Sequence, residues 1–140
     1  MTDEAIVVGD ADDGLHEELE DRIYAFNTEA TGYDDGRLLR IADRADDGSL
    51  RGGLTGWTWG GCAVIDLLWI APHHRRAGLG SRMLVAAEDE ARARGCTHVL
   101  VSSHTFQAPD FYRRHSYVEY ARTEDSPTGH ADIHFRRRLV

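Results

Sequence analysis

The sequence contains no lysine, so all of its basic side chains are its 16 arginines. Against these stand 24 aspartates and glutamates, which give a net charge of −8. A strongly acidic chain is disfavoured as a nucleic-acid binder, because phosphate binding requires a basic surface. The arginine runs Arg113–Arg114 and Arg136–Arg138 are short local patches. We therefore expect no nucleic-acid partner.

Long hydrophobic runs and a disulfide framework are also missing. No apolar stretch approaches the roughly 20 residues that span a bilayer, and the acidic start "MTDEAIVVGD" does not resemble a signal peptide. Cys62 and Cys96, the two cysteines, lie in or beside apolar strand-like segments, which is typical of buried thiols. These absences predict a cytoplasmic protein with no membrane association.

The missing lysine has two explanations that the sequence leaves open. An acidic, lysine-poor surface keeps its hydration in a high-salt cytoplasm, where salt screens the repulsion between carboxylates. This favours a halophilic or salt-tolerant source. A GC-rich genome, which replaces lysine codons with arginine codons, explains the same composition.

The hydrophobic pattern predicts a single domain over residues 1–140. The expected order is β-α-β-β-β-α-β-α-β-β, with a first strand at Ala5–Asp10 and a long helix at Ser81–Arg94. Leu15, Leu19 and Ile23 begin an apolar helix face in the first helix, with Asp12 or Asp13 as its N-cap and Gly32 as its end. The fold class is α/β (α+β): a mixed, mostly antiparallel sheet of six to seven strands flanked by helices.

One segment, "LLWIAPHHRRAGLGSRML", joins an apolar strand to a helix through a loop rich in glycine and arginine. Such loops cradle phosphates, because free backbone N–H groups and the helix dipole converge there. A Walker A loop is excluded because it needs a lysine, and a dinucleotide-binding turn is disfavoured because its third glycine is missing. The pattern that fits is R-x-x-G-x-G, at Arg75, Gly78 and Gly80.

This segment resembles the acyl-CoA-binding motif of the GNAT superfamily of N-acetyltransferases. Downstream, "SSHTFQAPDFYRRHSY" is similar to the pattern FQAPxFYxxxGY found in one branch of that family, and the layout "GGLTGWTWGG…LLWI" also fits the branch. The resemblance implies a GNAT-like domain that transfers an acetyl group from acetyl-CoA to an amine. It also implies cofactor-binding residues, which are Ile70, Arg75, Arg76, Ala77, Gly78, Leu79, Gly80, Ser81 and Phe111.

The resemblance implies that Tyr112 is the general acid that protonates the departing thiolate of CoA. A phenol suits this role because its pKa near 10 keeps it protonated at neutral pH. Asp66 is a candidate base because it is the only acid in the apolar strand "CAVIDLLWI", where burial of a carboxylate is costly and typical of functional sites. An arginine-paired or solvent-facing Asp66, and His104 as an alternative base, remain open.

The acceptor is expected to be a primary amine of a small molecule. Aromatic walls beside carboxylates suit a cationic amine, and the candidates are Trp57, Trp59, Tyr33 and Asp34. Plain packing of these aromatics is an equally good interpretation. The eight histidines show no metal-ligand spacing, so no metal is expected. An acyl-CoA-binding regulatory module and a protein amine acetyltransferase are the alternative functions, and a homodimer is implied by the resemblance alone.

One departure from the branch pattern concerns Ser116, which stands where glycine usually precedes the aromatic residue. If this position requires a positive φ, serine carries a small strain there.

A measurement of thermal unfolding against KCl distinguishes the two explanations of the composition. Adaptation to salt predicts a midpoint that rises continuously toward molar KCl, because screening relieves repulsion among the excess carboxylates. A midpoint that stays flat or falls over this range contradicts the halophilic interpretation and favours the genomic one.

Overall fold

The computed structural model describes residues 6–140. The chain divides into two units, and the boundary along the sequence lies between Tyr33 and Asp34. The first unit contains helix α1, Leu15–Thr31. The strand predicted at Ala5–Asp10 is wrong for residues 6–10, which have no regular secondary structure, and Ala5 lies outside the described residues. Apolar composition over so few residues does not specify a strand, because β-propensity depends on context.

The ends of α1 show how far the capping rules hold. Gly14, with φ 86°, is the N-cap, rather than Asp12 or Asp13. The two carboxylates bind backbone N–H groups at the start of the helix instead. Asp12 accepts a hydrogen bond from the Gly14 amide, and Asp13 accepts one from the Leu15 amide. Gly32 ends the helix with φ 80°, as predicted, in the left-handed conformation that glycine adopts without steric cost.

The second unit, Asp34–Val140, is a six-stranded sheet with two α-helices. Its strands are β1 (Arg37–Arg44), β2 (Leu50–Trp59), β3 (Cys62–Ile70), β4 (His98–His104), β5 (Val118–Glu124) and β6 (Ala131–Arg138). Its helices are α2 (Leu79–Ala93) and α3 (Pro109–Arg114). The strand order is β1-β2-β3-β4-β6-β5, and only β3 and β4 run parallel. The predicted mixed, mostly antiparallel α+β sheet is confirmed.

The parallel pairing of β3 with β4 is short. It covers three pairs, from Cys62↔His98 to Val64↔Leu100. Beyond them, β3 continues to Ile70 along β2, while β4 continues to His104 along β6. The two central strands therefore separate, and a wedge opens in the middle of the sheet.

The hydrophobic core lies between one face of the sheet and helix α2. Alternate residues of the strands face it, as the period of two requires, and Leu54, Val99 and Phe135 are almost fully buried. The helix contributes the predicted face of Leu84, Ala87 and Ala91, but it begins two residues earlier than predicted, at Leu79. Gly95 follows it with φ 82°, and Cys96 donates its N–H to the Ala91 carbonyl. These are the features of a glycine C-cap.

A buried ion pair links α2 to the last strand. Glu88 is 2% exposed, and its Oε2 accepts hydrogen bonds from Tyr117 Oη at 2.9 Å and Arg137 Nη1 at 2.6 Å. Burial, with the Glu88 carboxylate beside it, raises the pKa of Tyr117 far above its usual value. The tyrosine therefore stays a neutral donor, and the carboxylate has both a cation and a hydroxyl, as a buried charge requires.

Two smaller expectations concern membranes and thiols. Among residues 6–140, no helix combines the length and hydropathy needed to cross a bilayer. Cys96 is buried and Cys62 is half-buried; both are free thiols, and burial raises the pKa of each.

Replacing Arg137 should destabilise the fold through Glu88. Arg137→Met leaves the buried carboxylate without its cation, and we expect a loss of about 3 kcal/mol in the free energy of unfolding. The double variant Glu88→Met/Arg137→Met should recover most of that loss, because no buried charge remains. Urea denaturation measures both.

The matched control is Arg136→Met, one position along β6 on the exposed face. We expect it to change the free energy of unfolding by less than about 0.5 kcal/mol. Equal losses for the Arg136 and Arg137 variants would refute a stabilising role for the buried pair.

Candidate active site

The wedge between β3 and β4 opens into a cleft of the second unit, with a volume of about 990 Å³. One wall is β3 from Ile65 to Ile70, and the other is β4 from Val101 to Ser103. The loop after β3 and helix α3 complete it. Of the residues predicted for the site, the cleft is lined by Asp66, Ile70, Arg75, Arg76, Gly78, Gly80, Ser81, Phe111 and Tyr112.

A β-bulge shapes the β3 wall. Thr55 pairs with Leu67 and Gly56 with Ile65, so Asp66 is the extra residue between them. A Cβ on Gly56 would collide with the Val64 carbonyl. The β3 backbone therefore occupies the space that any other residue at position 56 would fill, and glycine is what allows the bulge.

The bulge corrects one premise about Asp66. Its position in an apolar strand predicted a buried carboxylate, but Asp66 is exposed and borders the cleft. The extra residue breaks the alternation of the strand and turns this side chain toward solvent. The desolvation argument that singled out Asp66 therefore does not apply, and its use as a base remains a prediction.

The loop between β3 and α2 presents a row of free backbone donors. A single turn of 3₁₀-helix, Pro72–His74, follows the strand, and the Arg75 Nε donates to the Ile70 carbonyl at 2.9 Å. Arg76 and Gly78 are left-handed, with φ of 64° and 82°. Within residues 6–140, the N–H groups of 76–81 have no hydrogen-bond partner. Together with the α2 N-terminus, they form an electropositive concavity suited to phosphate oxygens.

The two glycines of this loop, at positions 78 and 80, are needed for different reasons. Gly78 requires its positive φ, and nothing lies within 4 Å of where its Cβ would be. Gly80 has an ordinary backbone, and a Cβ there would touch Phe111 at 3.5 Å and Ile70 at 3.6 Å. Two predicted cofactor residues do not line the cleft: Ala77, and Leu79, whose buried side chain packs near Gly52. Only their backbone N–H groups are available to a ligand.

Tyr112 lies on α3 at the inner end of the cleft. It is 6% exposed, and its ring contacts those of Phe111, Tyr117 and Phe135 at centroid distances of 5.2–5.9 Å. Burial raises its pKa to about 12. The phenol therefore stays protonated at every physiological pH while its side chain borders the cleft. Ser116, which stands where the branch pattern has glycine, has φ 69°. The position therefore does require the positive φ considered in the sequence analysis.

The predicted acceptor residues are not gathered around the cleft. Trp57 and Trp59 share the β2 face opposite the core, and neither lines the cleft. Trp59 borders a separate recess of about 460 Å³ with Arg94. Asp34 is exposed and does not line the cleft, and Tyr33 closes the first unit, just after the glycine that ends α1.

Several cleft residues had no role in the sequence analysis. They are Trp69 on β3, Ser102 on β4, and Phe106 and Gln107 in the loop that follows β4. The wedge itself brings them together, and the length of pairing between two strands leaves no mark in composition or periodicity. The one signal in the sequence is the segment "TFQAP", which carries the resemblance but does not by itself place Phe106 and Gln107 at the cleft.

The bulge depends on Gly56, and this dependence can be measured. We expect Gly56→Ala to cost about 2 kcal/mol of unfolding free energy, because the new Cβ must displace backbone rather than a side chain. Gly53→Ala is the control on the same strand, since a Cβ there meets atoms at ordinary distances of 3.6–3.8 Å. Urea denaturation of both variants should separate them, and equal stability would contradict the role given to Gly56.

Comparison with known proteins gives the same fold. A family model described as the acetyltransferase (GNAT) family matches residues 9–117. The chain is 33% identical over 109 residues to the acetyltransferase Atu2258 of Agrobacterium fabrum, covering 78% of this chain and 80% of that protein. It is 44% identical over 86 residues to the blasticidin-S acetyltransferase of Streptomyces morookaense, covering 59% and 61%.

Solved structures extend the likeness over nearly the whole chain. An acetyltransferase from Bacillus cereus superposes with a TM-score of 0.80 at 29% identity, covering 95% of this chain and 97% of that one. An aminoglycoside 6′-N-acetyltransferase complexed with coenzyme A shares the fold, with a TM-score of 0.66 at 15% identity and coverage of 92% and 82%. The chain belongs to the GNAT family of acetyltransferases.

Proposed function

We propose that this acetyltransferase transfers the acetyl group of acetyl-CoA to a primary amine of a small molecule by direct attack. The observation that supports this best is the cleft in the wedge between β3 and β4, which has the free N–H groups of 76–81 at one end and the Tyr112 phenol within it. A diphosphate and a thioester on one elongated ligand would use both.

The loop suits the diphosphate of CoA. Six backbone N–H groups without partners, the positive end of the α2 dipole, and the side chains of Arg75 and Arg76 all favour negative charge. Cleft-facing strand edges remain in the wedge, because β3 and β4 do not pair beyond Val64 and Leu100. Such edges suit the amide groups of an extended pantetheine arm. The likeness in fold to an enzyme complexed with coenzyme A agrees with this proposal.

Tyr112 is proposed to protonate the leaving sulfur. When the amine nitrogen attacks the thioester carbon, the C–S bond breaks and its electron pair moves to sulfur. A neutral phenol beside that atom supplies the proton, and general acid catalysis of this kind contributes roughly 10²–10⁴-fold. Because burial holds the pKa of Tyr112 near 12, the phenolate formed in this step regains a proton readily.

The amine must lose protons as well. An alkylammonium with a pKa near 10.4 is about one part in 10³ neutral at pH 7, so a proton acceptor near the cleft accelerates the reaction. Asp66 remains a candidate, as an exposed carboxylate that borders the cleft and also attracts a cationic amine.

A small acceptor is favoured over a protein acceptor. Blasticidin-S acetyltransferase, 44% identical over the matched residues, is named for a small-molecule substrate. Acetylation of protein amines and a regulatory module that binds acyl-CoA without turnover are the other outcomes. Cytoplasmic location, salt adaptation and a homodimer stay predictions from the sequence.

The test is thiol release from acetyl-CoA with a panel of small primary amines and an N-terminal peptide. We expect turnover with at least one small amine. Turnover with the peptide alone would favour protein acetylation, and CoA binding without any turnover would favour the regulatory module.

Within that assay, Tyr112→Phe should lower kcat by about 10²-fold and leave the Kd for CoA within about twofold, since only the acid is removed. Tyr112 itself should produce no basic limb in the kcat profile below about pH 12, because its pKa is raised to that value.

The control for this variant is Tyr117→Phe, a second buried tyrosine whose ring contacts Tyr112 but whose hydroxyl is committed to Glu88. It should lose stability and retain kcat. Wild-type turnover in Tyr112→Phe would remove this residue from the mechanism.

A further inference from the structure

The imidazole of His104, at the end of β4, has its tautomer determined by Gln107. The Gln107 Oε1 accepts the backbone N–H of His104 at 2.7 Å, which identifies this atom as the amide oxygen. The same oxygen lies 3.1 Å from His104 Nδ1. An amide oxygen only accepts, so the neutral ring carries its hydrogen on Nδ1 and leaves a lone pair on Nε2.

The Nε2 atom is open to a ligand. Within residues 6–140 it has no hydrogen-bond partner, and it is absent from the buried polar atoms that lack one. The ring stacks on Phe106, with centroids 5.3 Å apart and planes at 15°. Phe106 and Gln107 both line the cleft, as does Ser102, two residues earlier on the same face of β4. His104 itself is not among the residues that line the cleft, but the residues that hold its ring, Phe106 and Gln107, are.

A carboxylate lies opposite this base. His104 and Asp132 are partners in the antiparallel β4–β6 ladder, so their side chains share one face of the sheet as neighbours. The Asp132 Oδ1 is buried and has no hydrogen-bond partner among the described residues, and Oδ2 lies 3.8 Å from His134 Nε2. Asp132 is thus a ladder neighbour of His104, while the ion pair that it forms is with His134.

We propose that His104, oriented by Gln107 and faced by Asp132, accepts the proton of the acceptor ammonium and so makes this cleft selective for amines that arrive protonated. This inference rests on the proposed function. The substrate class it specifies is the alkylammonium, as opposed to weakly basic aromatic amines, which arrive already neutral at pH 7 and need no deprotonation before attack.

The proton balance is as follows. The ammonium loses one proton to His104 Nε2, which passes it to solvent. The neutral nitrogen then attacks the thioester carbon, the C–S bond breaks, and Tyr112 protonates the sulfur. The nitrogen releases a second proton as the amide forms, which balances the one that Tyr112 supplied. The products are the N-acetyl amine, CoA thiol and one proton released to solvent.

His104 suits this role better than Asp66. Asp66 is exposed on a bulge, with nothing in the described residues that orients its carboxylate. His104 has a ring plane held by stacking on Phe106 and a tautomer set by Gln107. The other titratable groups near it are His134 on β6 and His130, whose ring contacts the far edge of Phe106 at 5.0 Å, with Asp66 on the opposite wall of the cleft.

The experiment compares pH profiles of kcat/KM for an alkylamine acceptor. His104→Phe keeps an aromatic ring against Phe106 but removes the base. We expect a loss of about 10²-fold at neutral pH, recovery as the pH approaches the pKa of the free amine, and loss of the acidic limb attributed to the enzyme. The Kd for CoA should not change. Gln107→Leu removes the oxygen that holds the hydrogen of His104 on Nδ1, and it should give an intermediate loss of kcat/KM.

Asp66→Asn is the matched comparison and should keep the acidic limb. Loss of that limb in Asp66→Asn, with its retention in His104→Phe, would overturn the proposal and assign the base to Asp66. A merely structural His104 would lower stability without moving the limb, which would also overturn it.

A readout without turnover separates this proposal from the proposed function. Imidazole ¹⁵N NMR of the whole protein, with His104→Phe used for assignment, reports which ring nitrogen carries the hydrogen. We expect the Nδ1–H form at neutral and higher pH. The Nε2–H form would overturn the proposal even in an active enzyme, whereas the Nδ1–H form in a protein that turns over no amine would count against the proposed function, and with it the role given to His104.

Discussion

The site depends on the point at which two parallel strands stop pairing. β3 and β4 share only three registered pairs, and each then follows a different antiparallel neighbour. Unpaired backbone in a protein interior is costly unless a partner satisfies it. A cleft of about 990 Å³ occupies the gap, so an extended ligand that carries its own amide groups complements the protein there.

The separation is held from both sides of the wedge. On the β3 side, Gly56 admits the bulge at Asp66, which redirects the strand. On the β4 side, β6 pairs with the whole of β4, and Arg137 on β6 anchors α2 through the buried Glu88. One glycine thus fixes the course of β3 and one ion pair fixes α2 on β6, although neither borders the cleft.

Much of this was predictable from local sequence signals. The alternation of apolar residues and the turn glycines predicted all six strands, and R-x-x-G-x-G located the loop at 76–81 whose backbone N–H groups have no partner among the described residues. The predictions that were wrong concern features that depend on residues distant in the sequence. Residues 6–10 have the composition of a strand but no regular secondary structure. Asp66 lies among apolar residues in the sequence, yet its side chain is exposed, because the bulge that turns it outward depends on the partner strand β2. The placement of His104 opposite Asp132 also required the sheet register.

The two proton transfers that we propose lie in opposite environments, and the fold explains why. Tyr112 lies among three aromatic rings in the core, where burial raises its pKa and keeps the acid neutral beside the sulfur. His104 is on the other face of the sheet, half-exposed, with Nε2 open to solvent. A thiolate gains most from a donor that water does not compete with, whereas an ammonium needs an acceptor that can pass its proton on to water. The cleft in the wedge is bordered by Tyr112 on one side and by Phe106 and Gln107, which hold His104, on the other, and this arrangement is why we assign the acid and the base to different faces of the sheet.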